Sequence, residues 1–426
     1  MTHFIPSKRG QQTFKFTYRP PQFSGNTFLP QHAIIPLTFQ TAMNSTLLVK
    51  EGDVVQEGQM LAQAADGNAV HVHTSVPGTV LGLIKVELPN GKLFRGVHIE
   101  TKGSFPLLKT MSPHYRWQKT APDALVTAVE NAGLINTVAG IAPLAKGMRV
   151  AKQNTISTLK VILYDRDPTC ALDSFLTQHF PHSIAEGIAL IATALSVSCI
   201  ELLTPESKQE SELPRLVQEL LPEQKIVHYH VKNIYPPNTI HYKLYTETSA
   251  FCIDSYTALL TYDSVICNQP MLYSYVLLND QTLTQAKVFK IRIGTPIRNI
   301  ITECGGLKTN RTHLILNGLI QGLSVHTADL PVSKGIKSIH IVNHSLESQA
   351  TIDACGHCGH CLRVCPIYID PIKTVRAIRK QQYTSEVLHN ISLCIACSCC
   401  SAACPARIPL QEIIQAEAYK RHAHVL

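Results

Sequence analysis

Two cysteine-rich boxes near the end of the sequence constrain the fold more than any other feature. The first box, CGHCGHCLRVCP at 355–366, and the second, CIACSCCSAACP at 394–405, both follow the spacing C-x2-C-x2-C-x3-C-P. In this spacing the first three thiolates of a box converge on one [4Fe-4S] cluster, while the fourth, followed by proline, reaches the other cluster. The sequence therefore predicts two clusters, the first held by Cys355, Cys358, Cys361 and Cys404 and the second by Cys394, Cys397, Cys400 and Cys365.

Zinc is the main alternative, because paired C-x2-C motifs also form zinc ribbons and knuckles. A zinc site uses two cysteines per half-site and needs no third cysteine at the next x2 step, which both boxes carry. Cys399 is a ninth cysteine inside the second box, and it cannot stand at x2 spacing from both neighbours. We therefore interpret the boxes as iron–sulfur motifs and Cys399 as a small packed thiol.

The other cysteines indicate a reducing compartment. They are scattered through apolar sequence without paired spacing, as buried thiols are, and comprise Cys170, Cys199, Cys252, Cys267 and Cys304. The first residues do not show the basic n-region and apolar h-region of a secretory leader, and no apolar run reaches the roughly 18 residues that span a bilayer, so neither feature is expected. The longest run, GIALIATALSVSCIELL from Gly187, predicts a buried helix followed by a strand. We expect a cytoplasmic protein, peripheral to the cytoplasmic face of the inner (plasma) membrane.

Length and charge narrow the class of protein further. With 426 residues the chain is too long for one core, so several domains are expected. The formal net charge is +8 and only 16% of residues are charged, without runs of Lys and Arg interleaved with aromatics, which argues against nucleic acid as a partner. A weakly basic surface instead suits an acidic protein or anionic lipid head groups.

After a predicted N-terminal extension at 1–27, residues 28–105 have the pattern of a small β-sandwich, with period-two strands and frequent Gly and Pro turns. The pattern VKEGDVVQEGQMLA followed by SVPGTV resembles biotinyl- and lipoyl-type barrel-sandwich domains, whose carrier lysine stands on the hairpin between these motifs. The hairpin here, DGNAVHVHT, has no lysine, which indicates a structural or docking domain. We interpret His71 and His73 on it as a polar strand face, with metal binding as the alternative.

The rest of the chain divides into three predicted units. Residues 115–270 alternate helical and β-branched segments, which predicts an α/β layer domain. Residues 280–335 predict a β-grasp-like unit, with a strand, a Gly-Thr-Pro turn, a short helix opening at Pro296 and a Gly-Gly stop. Residues 350–426 form the α-helical two-cluster domain. The predicted fold class is therefore multidomain α+β.

The order of these units resembles the C subunit of the Rnf electron-transport complex over nearly the whole chain. Its most specific parts are VHTSVPGTV at 72–80, IGTPIRNIITECGG at 293–306 and the two cysteine boxes. The resemblance implies a lipoyl-like barrel-sandwich, an α/β domain like the flavoprotein subunit of respiratory complex I, an SLBB-type β-grasp unit and a ferredoxin-type domain. It also implies a peripheral subunit of a membrane complex that couples electron flow to the pumping of sodium ions or protons.

Members of this family carry a flavin and nicotinamide pocket built on a glycine loop of the type G-x-G-G-A-x-F-P-T. Here AGL at 132–134 is followed by INTVAGIAPLAKG, which retains only Pro143 and a shifted Gly140. Asn136, Val138 and Ala139 stand where the family has glycines. A loop that turns its N–H groups onto a phosphate needs positive φ and no Cβ, which valine does not offer.

Two further elements of that pocket depart from the family pattern. An Asn and a pair of acidic residues hold the flavin in the family, whereas this chain has DRDPTC at 165–170, with Asp165 and Asp167 as candidate remnants and Arg166 between them. The family element Y-P-x-G-x-E-K reads IYPPNTIHYKLY at 234–245, without Gly, Glu or Lys at their places. These departures favour loss of the FMN and NADH site over its retention.

Three hypotheses of function follow. The favoured one is an Rnf-type C subunit, part of an ion-translocating oxidoreductase, that relays electrons through two [4Fe-4S] clusters between a soluble carrier, ferredoxin or flavodoxin, and the membrane subunits. The second is an FMN-containing, NADH-handling subunit with a divergent pocket. The third is a redox-inert, zinc-binding scaffold.

The segment between the boxes, DPIKTVRAIRKQQY at 370–383, is a candidate docking surface for the carrier. Asp370 and Pro371 predict a helix N-cap and first residue, followed by a buried stripe of Ile372, Val375 and Ile378. The outward face then carries Lys373, Arg376, Arg379 and Lys380, with no acidic residue from 374 to 385. This face is either an ordinary solvated surface or a basic patch that steers an acidic carrier.

Overall fold

The computed structural model describes residues 4–6, 12–14, 21–37, 45–87, 93–103, 116–138, 140–206, 211–231, 235–236, 250–280, 285–307, 312–325, 327–343 and 351–425. The first strands are β1 (Phe4–Pro6) and β2 (Gln12–Phe14), which pair antiparallel, and β3 (Gln22–Asn26). A β-sandwich, a parallel α/β layer, a mixed sheet and a helical domain then follow along the chain. Within these ranges no helix combines the length and apolar character needed to cross a bilayer.

Two small sheets form the predicted β-sandwich. Its strands are β4 (His32–Pro36), β5 (Ser45–Leu47), β6 (Val54–Val55), β7 (Met60–Ala64), β8 (Val72–His73), β9 (Gly78–Glu87) and β10 (Leu93–Thr101). They are ordered β4-β10-β9-β6 and β5-β7-β8, and apolar residues such as Ile35, Leu61 and Ile99 fill the space between the sheets. A Cβ at Gly78 would clash with the carbonyl oxygen of Glu100, so only glycine allows β9 to approach β10 this closely.

The α/β layer contains a parallel four-stranded sheet with helices around it. The helices are α1 (Pro122–Asn131), α2 (Leu144–Gln153), α3 (Leu172–His179), α4 (Pro181–Leu195), α5 (Leu213–Leu220) and α6 (Ser255–Thr261). The strands are a short pair, β11 (Ile135–Asn136) and β12 (Ala142–Pro143), and then β13 (Thr158–Ile162), β14 (Cys199–Pro205), β15 (Lys225–Val231) and β16 (Ala250–Asp254). The sheet order is β15-β14-β13-β16, so β14 and β15 lie on one side of β13 and the last strand, β16, lies on the other. This arrangement creates a topological switch point at the carboxyl ends of β13 and β16.

The long apolar run of the sequence is a buried helix and a strand, as predicted. Helix α4 is apolar around most of its circumference because it packs in the centre of the layer, with Ile184, Ile188 and Ile191 fully buried. A Cβ at Gly187 would clash with the carbonyl oxygen of Ala258, so α4 lies against α6 without room for a larger residue. Strand β14 follows α4 and joins the centre of the parallel sheet.

A mixed six-stranded sheet occupies the region of the predicted β-grasp-like unit. It consists of β17 (Tyr273–Asp280), β18 (Lys287–Arg292), β19 (Thr312–Leu316), β20 (Leu323–Val325) and β21 (Ser338–Asn343), with α7 (Ile297–Glu303) packed on it. Its order is β20-β19-β21-β17-β18-β3. The sheet therefore extends beyond 280–335 on both sides and recruits β3 from the predicted N-terminal extension. These pairings join distant parts of the chain, which the local sequence pattern does not encode.

The C-terminal domain is helical, with α8 (His360–Val364), α9 (Pro371–Arg379), α10 (Ser385–Leu393), α11 (Cys399–Ala402) and α12 (Leu410–Val425). Helix α9 begins as predicted, because the Asp370 side chain accepts a hydrogen bond from the Lys373 N–H at 3.0 Å and Pro371 occupies the first turn. Val375 is fully buried in the core of this domain, and Ile372 and Ile378 pack against that core as partly buried residues.

Candidate iron–sulfur site

The two cysteine boxes have the same backbone geometry. The third and fifth residues of each box, and the second residue after its proline, have left-handed φ values: 56° at His357 and 55° at Ala396, 71° at Gly359 and 57° at Ser398, 59° at Tyr368 and 55° at Arg407. Most of these residues are not glycine, and left-handed backbone disfavours residues that have a Cβ. The repeat therefore reflects a turn that brings cysteines at x2 spacing to face a common centre.

The first three cysteines of the first box line a cavity of about 710 Å³ together with Cys404 from the second box. Cys361 is buried and Cys358 is exposed. Ile408 and Leu410 contribute apolar side chains to this cavity, and Lys373 and Arg376 of α9 also line it. Four thiols around a cavity of this size fit the donor set of a [4Fe-4S] cluster.

The first three cysteines of the second box surround a second cavity together with Cys365, the last cysteine of the first box. This cavity measures about 20 Å³ and is more enclosed, since Cys365, Cys397 and Cys400 are each buried. The fit of this site to a cluster therefore rests on its four soft donors rather than on the size of the cavity. In the part of the chain that the structure describes, no three His, Cys, Asp or Glu side chains are grouped closely enough to hold a single metal ion.

Burial and hydrogen bonding have opposite effects on the pKa values of these thiols. Burial raises the pKa of Cys365 to about 11, and the N–H groups of Ile367 and Ile369 partly oppose this by donating to its sulfur. Burial likewise raises the pKa of Cys394, against hydrogen bonds from the Ala396 N–H and the Gln415 side chain. Thiols of this kind lose their protons when iron binds, and the N–H groups then stabilise the thiolates.

Cys399 lies outside both cavities as the structure describes them. Its side chain is only 1% exposed and belongs to a small apolar cluster with Tyr235 and Cys397. It occupies the first position of α11, immediately before the proposed ligand Cys400. This location is compatible with the predicted packed thiol.

The second site contacts other parts of the chain through hydrogen bonds that the sequence patterns did not predict. The Tyr235 hydroxyl donates to the Cys397 carbonyl oxygen at 2.8 Å and accepts a hydrogen bond from the Gln321 side chain at 3.0 Å. The Ser398 hydroxyl donates to the Ile320 carbonyl oxygen at 2.7 Å. Because these partners are distant in sequence, no local pattern could have revealed them.

The basic residues of α9 and the lysine that follows it face outward, as predicted, but their contacts differ. Lys373 forms an ion pair with Glu386 at 2.8 Å, so its charge is compensated by an acid just beyond the acid-free stretch. Arg376 donates to Nε2 of His357 at 2.8 Å, and both side chains line the first cavity. Arg379 is exposed at the last position of the helix. All four predicted cations, Lys373, Arg376, Arg379 and Lys380, are exposed, and Lys373 differs only in having an acidic partner.

The region of the family's glycine loop makes internal contacts here. The Arg166 guanidinium donates to the carbonyl oxygens of Thr137, at 2.9 Å, and Val138. The Asn136 amide donates to the Cys252 carbonyl oxygen at 2.8 Å, and its side-chain oxygen accepts from the Val138 N–H at 3.1 Å. The Val138 N–H, which a phosphate would need as a donor, is therefore occupied by Asn136, and the carbonyl groups of the loop face Arg166. The residues of the loop therefore do not fit the flavin site of the family.

The two candidate acidic remnants have structural roles. Asp165 accepts hydrogen bonds from the N–H groups of Asp173, at 2.8 Å, and Ser174, at 3.1 Å, in the first turn of α3. Asp167 accepts from the N–H groups of Ile320 and Gln321 at 2.9 and 2.8 Å. Of the third element at 234–245, only residues 235–236 are among the described ones, so the rest of that comparison lies outside them.

The two histidines of the β-sandwich hairpin are buried, so the prediction of a polar strand face was wrong. His71 is 8% and His73 is 7% exposed, because the hairpin packs against the α/β layer. The ammonium group of Lys334 donates to the carbonyl oxygens of His71 at 3.1 Å and Gly133 at 2.6 Å. Burial, and then the charge of Lys334, lower the pKa of His73 to about 3. Among the described residues no third His, Cys, Asp or Glu side chain joins these two histidines to form a metal site.

Comparisons with known proteins agree with this architecture. Residues 25–104 match the family described as RnfC Barrel sandwich hybrid domain, and residues 349–405 match the 4Fe-4S dicluster domain. The chain is RnfC-like. One relative is the C subunit of the Na(+)-translocating ferredoxin:NAD(+) oxidoreductase complex of Acetobacterium woodii. Its sequence is 23% identical, and the alignment covers 84% of the RnfC-like chain and 86% of the relative.

A second relative is the C subunit of the ion-translocating oxidoreductase complex of Rhodobacter capsulatus. It is 24% identical over 81% of the RnfC-like chain and 70% of its own length. Among solved structures, an NAD+-reducing [NiFe]-hydrogenase matches 73% of this chain and 67% of its own with a TM-score of 0.48 and 14% identity. A structural match at this level carries no argument about function.

Proposed function

We propose that this RnfC-like chain is a peripheral electron-transfer subunit of an ion-translocating oxidoreductase complex, at the cytoplasmic face of the membrane. It relays electrons through two [4Fe-4S] clusters between a soluble carrier and the other subunits. The proposal draws on the functions of the relatives, which are subunits of such complexes, and on the dicluster domain at 349–405.

One observation carries the proposal: each of the two cavities is lined by three cysteines of one box and the fourth cysteine of the other. The crossed sets are the proposed ligands, Cys355, Cys358, Cys361 and Cys404 for the first cluster and Cys394, Cys397, Cys400 and Cys365 for the second. Zinc would require thiolates about 2.3 Å from a single centre. The first cavity, at about 710 Å³, is far larger than such a centre, and among the described residues no three ligating side chains are grouped closely enough for a single ion, which supports clusters over a zinc scaffold.

The two sites differ in exposure, which supports a direction for the relay within the chain. The first site opens at the surface beside α9, where Cys358 is exposed. The second is enclosed between the helical domain and the region of Tyr235 and Gln321. We therefore propose that an acidic ferredoxin or flavodoxin approaches the first cluster across the basic end of α9, because complementary charge mainly accelerates association.

We also propose that the α/β layer of this chain does not bind FMN or NADH. The contacts of Arg166 with the loop at 137–138 and the structural roles of Asp165 and Asp167 support this proposal. In this view the layer is a divergent relative of the flavoprotein domain, and the mixed sheet is its SLBB-type companion.

Anaerobic purification with iron, sulfide and flavin counted in one sample tests the proposed function. We expect eight irons and eight sulfides per chain and no flavin. Zinc in place of iron would refute the relay, and stoichiometric FMN would restore the NADH-handling alternative.

Serine substitutions test the proposed ligands in the same preparation. Cys358→Ser and Cys397→Ser should each remove one cluster's signal from the low-temperature EPR spectrum and leave most of the other. Cys399→Ser is the matched control, because it alters a buried cysteine of the same box and should leave both signals. Loss of the second signal in Cys399→Ser would show that the ligand set is wrong.

A further inference from the structure

The turn that carries Cys397 is held by residues from outside the helical domain. Tyr235 is 5% exposed and packs with Cys397 and Cys399, with Ile320 at the edge of the same cluster. Its hydroxyl donates to the Cys397 carbonyl oxygen at 2.8 Å. The Ser398 hydroxyl, on the next residue, donates to the Ile320 carbonyl oxygen at 2.7 Å. Two consecutive residues of the turn are therefore anchored to the rest of the chain.

Backbone geometry makes the Cys397 carbonyl dependent on such a partner. Cys397 lies between two left-handed residues, Ala396 and Ser398, and Ser398 is the N-cap of α11. A carbonyl that precedes the N-cap accepts no hydrogen bond from the helix that follows. The Tyr235 hydroxyl satisfies this buried oxygen, which would otherwise be costly to keep from water.

The hydrogen bond is itself oriented by a third residue. Gln321 Nε2 donates to the Tyr235 oxygen at 3.0 Å, so the hydroxyl proton is directed toward Cys397. The corresponding cysteine of the first box, Cys358, is exposed to solvent. The two boxes have the same local backbone conformation, but the surroundings of the second cysteine, Cys358 in one and Cys397 in the other, differ.

We propose that Tyr235 is a positioning residue for the second cluster, which fixes the peptide after Cys397 and thereby sets the reduction potential of that cluster but not of the first. This inference rests on the proposed function, in which Cys397 is a ligand. Reduction potentials of iron–sulfur clusters depend on hydrogen bonds and dipoles around the ligands. The hydroxyl presents its positive end to the turn, which favours the more negative, reduced state of a cluster held there.

Potentiometric titration of the intact chain, followed by EPR, tests the proposal with Tyr235→Phe. The signal that Cys397→Ser removes should shift to a more negative midpoint potential, while the other signal keeps its potential and the iron count stays at eight. Tyr275→Phe is the matched control, since Tyr275 is equally buried and donates to Asp263 at 2.8 Å, away from both cysteine boxes. It should change neither potential.

Gln321→Leu provides a second variant that retains the tyrosine. It removes the donor that polarises the hydroxyl, so we expect a smaller shift in the same direction. Loss of the second cluster alone in Tyr235→Phe would also support a positioning role. Unchanged potentials in both variants, or an equal change of both clusters, would overturn it. A wild-type chain without eight irons would instead refute the proposed function, so the two failures are distinguishable.

Discussion

Asp167 accepts four hydrogen bonds, and its replacement by asparagine should release the turn at 319–321. One carboxylate oxygen accepts from the N–H and the hydroxyl of Thr169 at 2.9 and 2.6 Å, and the other accepts from the N–H groups of Ile320 and Gln321 at 2.9 and 2.8 Å. The side chain is 3% exposed, so water does not replace these contacts. An aspartate has only acceptors to offer, whereas an asparagine must direct an NH2 group at one of the two pairs of donors.

The structure allows the cost of Asp167→Asn to be worked out. The least unfavourable rotamer turns the NH2 toward Thr169, which leaves the Thr169 N–H without an acceptor. The Thr169 hydroxyl must also rotate to accept, which disturbs its existing bond from the Leu319 N–H, at 2.7 Å, at the start of the turn. The unpaired N–H costs about 1–3 kcal/mol, and the remaining bonds to Ile320 and Gln321 lose the assistance of the charge. Relief of the buried charge offsets part of this. We therefore expect local destabilisation of about 2–4 kcal/mol.

Hydrogen exchange followed by mass spectrometry measures this effect where it arises. Because each 1.4 kcal/mol is tenfold, the peptide that contains residues 318–322 should exchange about 30- to 700-fold faster in Asp167→Asn. Asp165→Asn is the control, since Asp165 is also an acceptor but contacts α3 instead. If Asp167→Asn leaves exchange at 318–322 unchanged, or if Asp165→Asn accelerates it equally, the structural role of Asp167 is refuted.

Three further predictions concern the flavin site, the docking surface and pH. Calorimetric titration of the chain with FMN or NADH should show no binding tighter than about 1 mM, near −4 kcal/mol, and micromolar binding of FMN would contradict this. Arg379→Glu should slow reduction of the clusters by ferredoxin or flavodoxin several-fold at low salt and less at high salt. Lys85→Glu, an equal charge reversal at an exposed lysine of β9 in the β-sandwich, should change little, and equal effects would argue against docking at α9. Burial and the nearby Asp173 raise the pKa of Asp165 to about 6. The folded state therefore binds the Asp165 proton more tightly than the unfolded state, and the stability contributed by this proton is lost as pH rises from about 4 to 6. Hydrogen exchange at the start of α3, compared with Asp165→Asn, should show protection falling over that range, and parallel pH profiles would contradict the assignment.

Several features of the fold could be predicted because they depend on short-range patterns. The N-cap at Asp370 and the helix and strand around Gly187 follow from local spacing. The β-sandwich follows from period-two alternation with glycine turns. In each case the residues that determine the element are close together in the sequence.

Other features depend on contacts between distant residues and could not be predicted in this way. Tyr235 and Cys397 are 162 positions apart, and Asp167 and Ile320 are 153 apart. Asp167 was noticed only because the related family has acidic residues there, and its actual partners are backbone N–H groups. A buried tyrosine or aspartate carries no local signal of the carbonyl or amide that it will satisfy.

The contacts at the switch point of the parallel sheet support the proposal that the α/β layer of this chain does not bind a nucleotide. Lys337 Nζ lies 2.8 Å from both Asp173 Oδ2 and Asp254 Oδ2, and all three side chains are largely buried. Although burial opposes ionisation, Lys337 holds the pKa of Asp254 at about 2, so the charges at this edge neutralise one another. An anionic phosphate would have to compete with two carboxylates for that lysine, at the position where open α/β sheets usually bind ligands. Close to this edge, Asp167 accepts from the N–H groups of Ile320 and Gln321, and Gln321 in turn donates to Tyr235 beside the second cysteine set, so hydrogen bonds connect the layer to the helical domain.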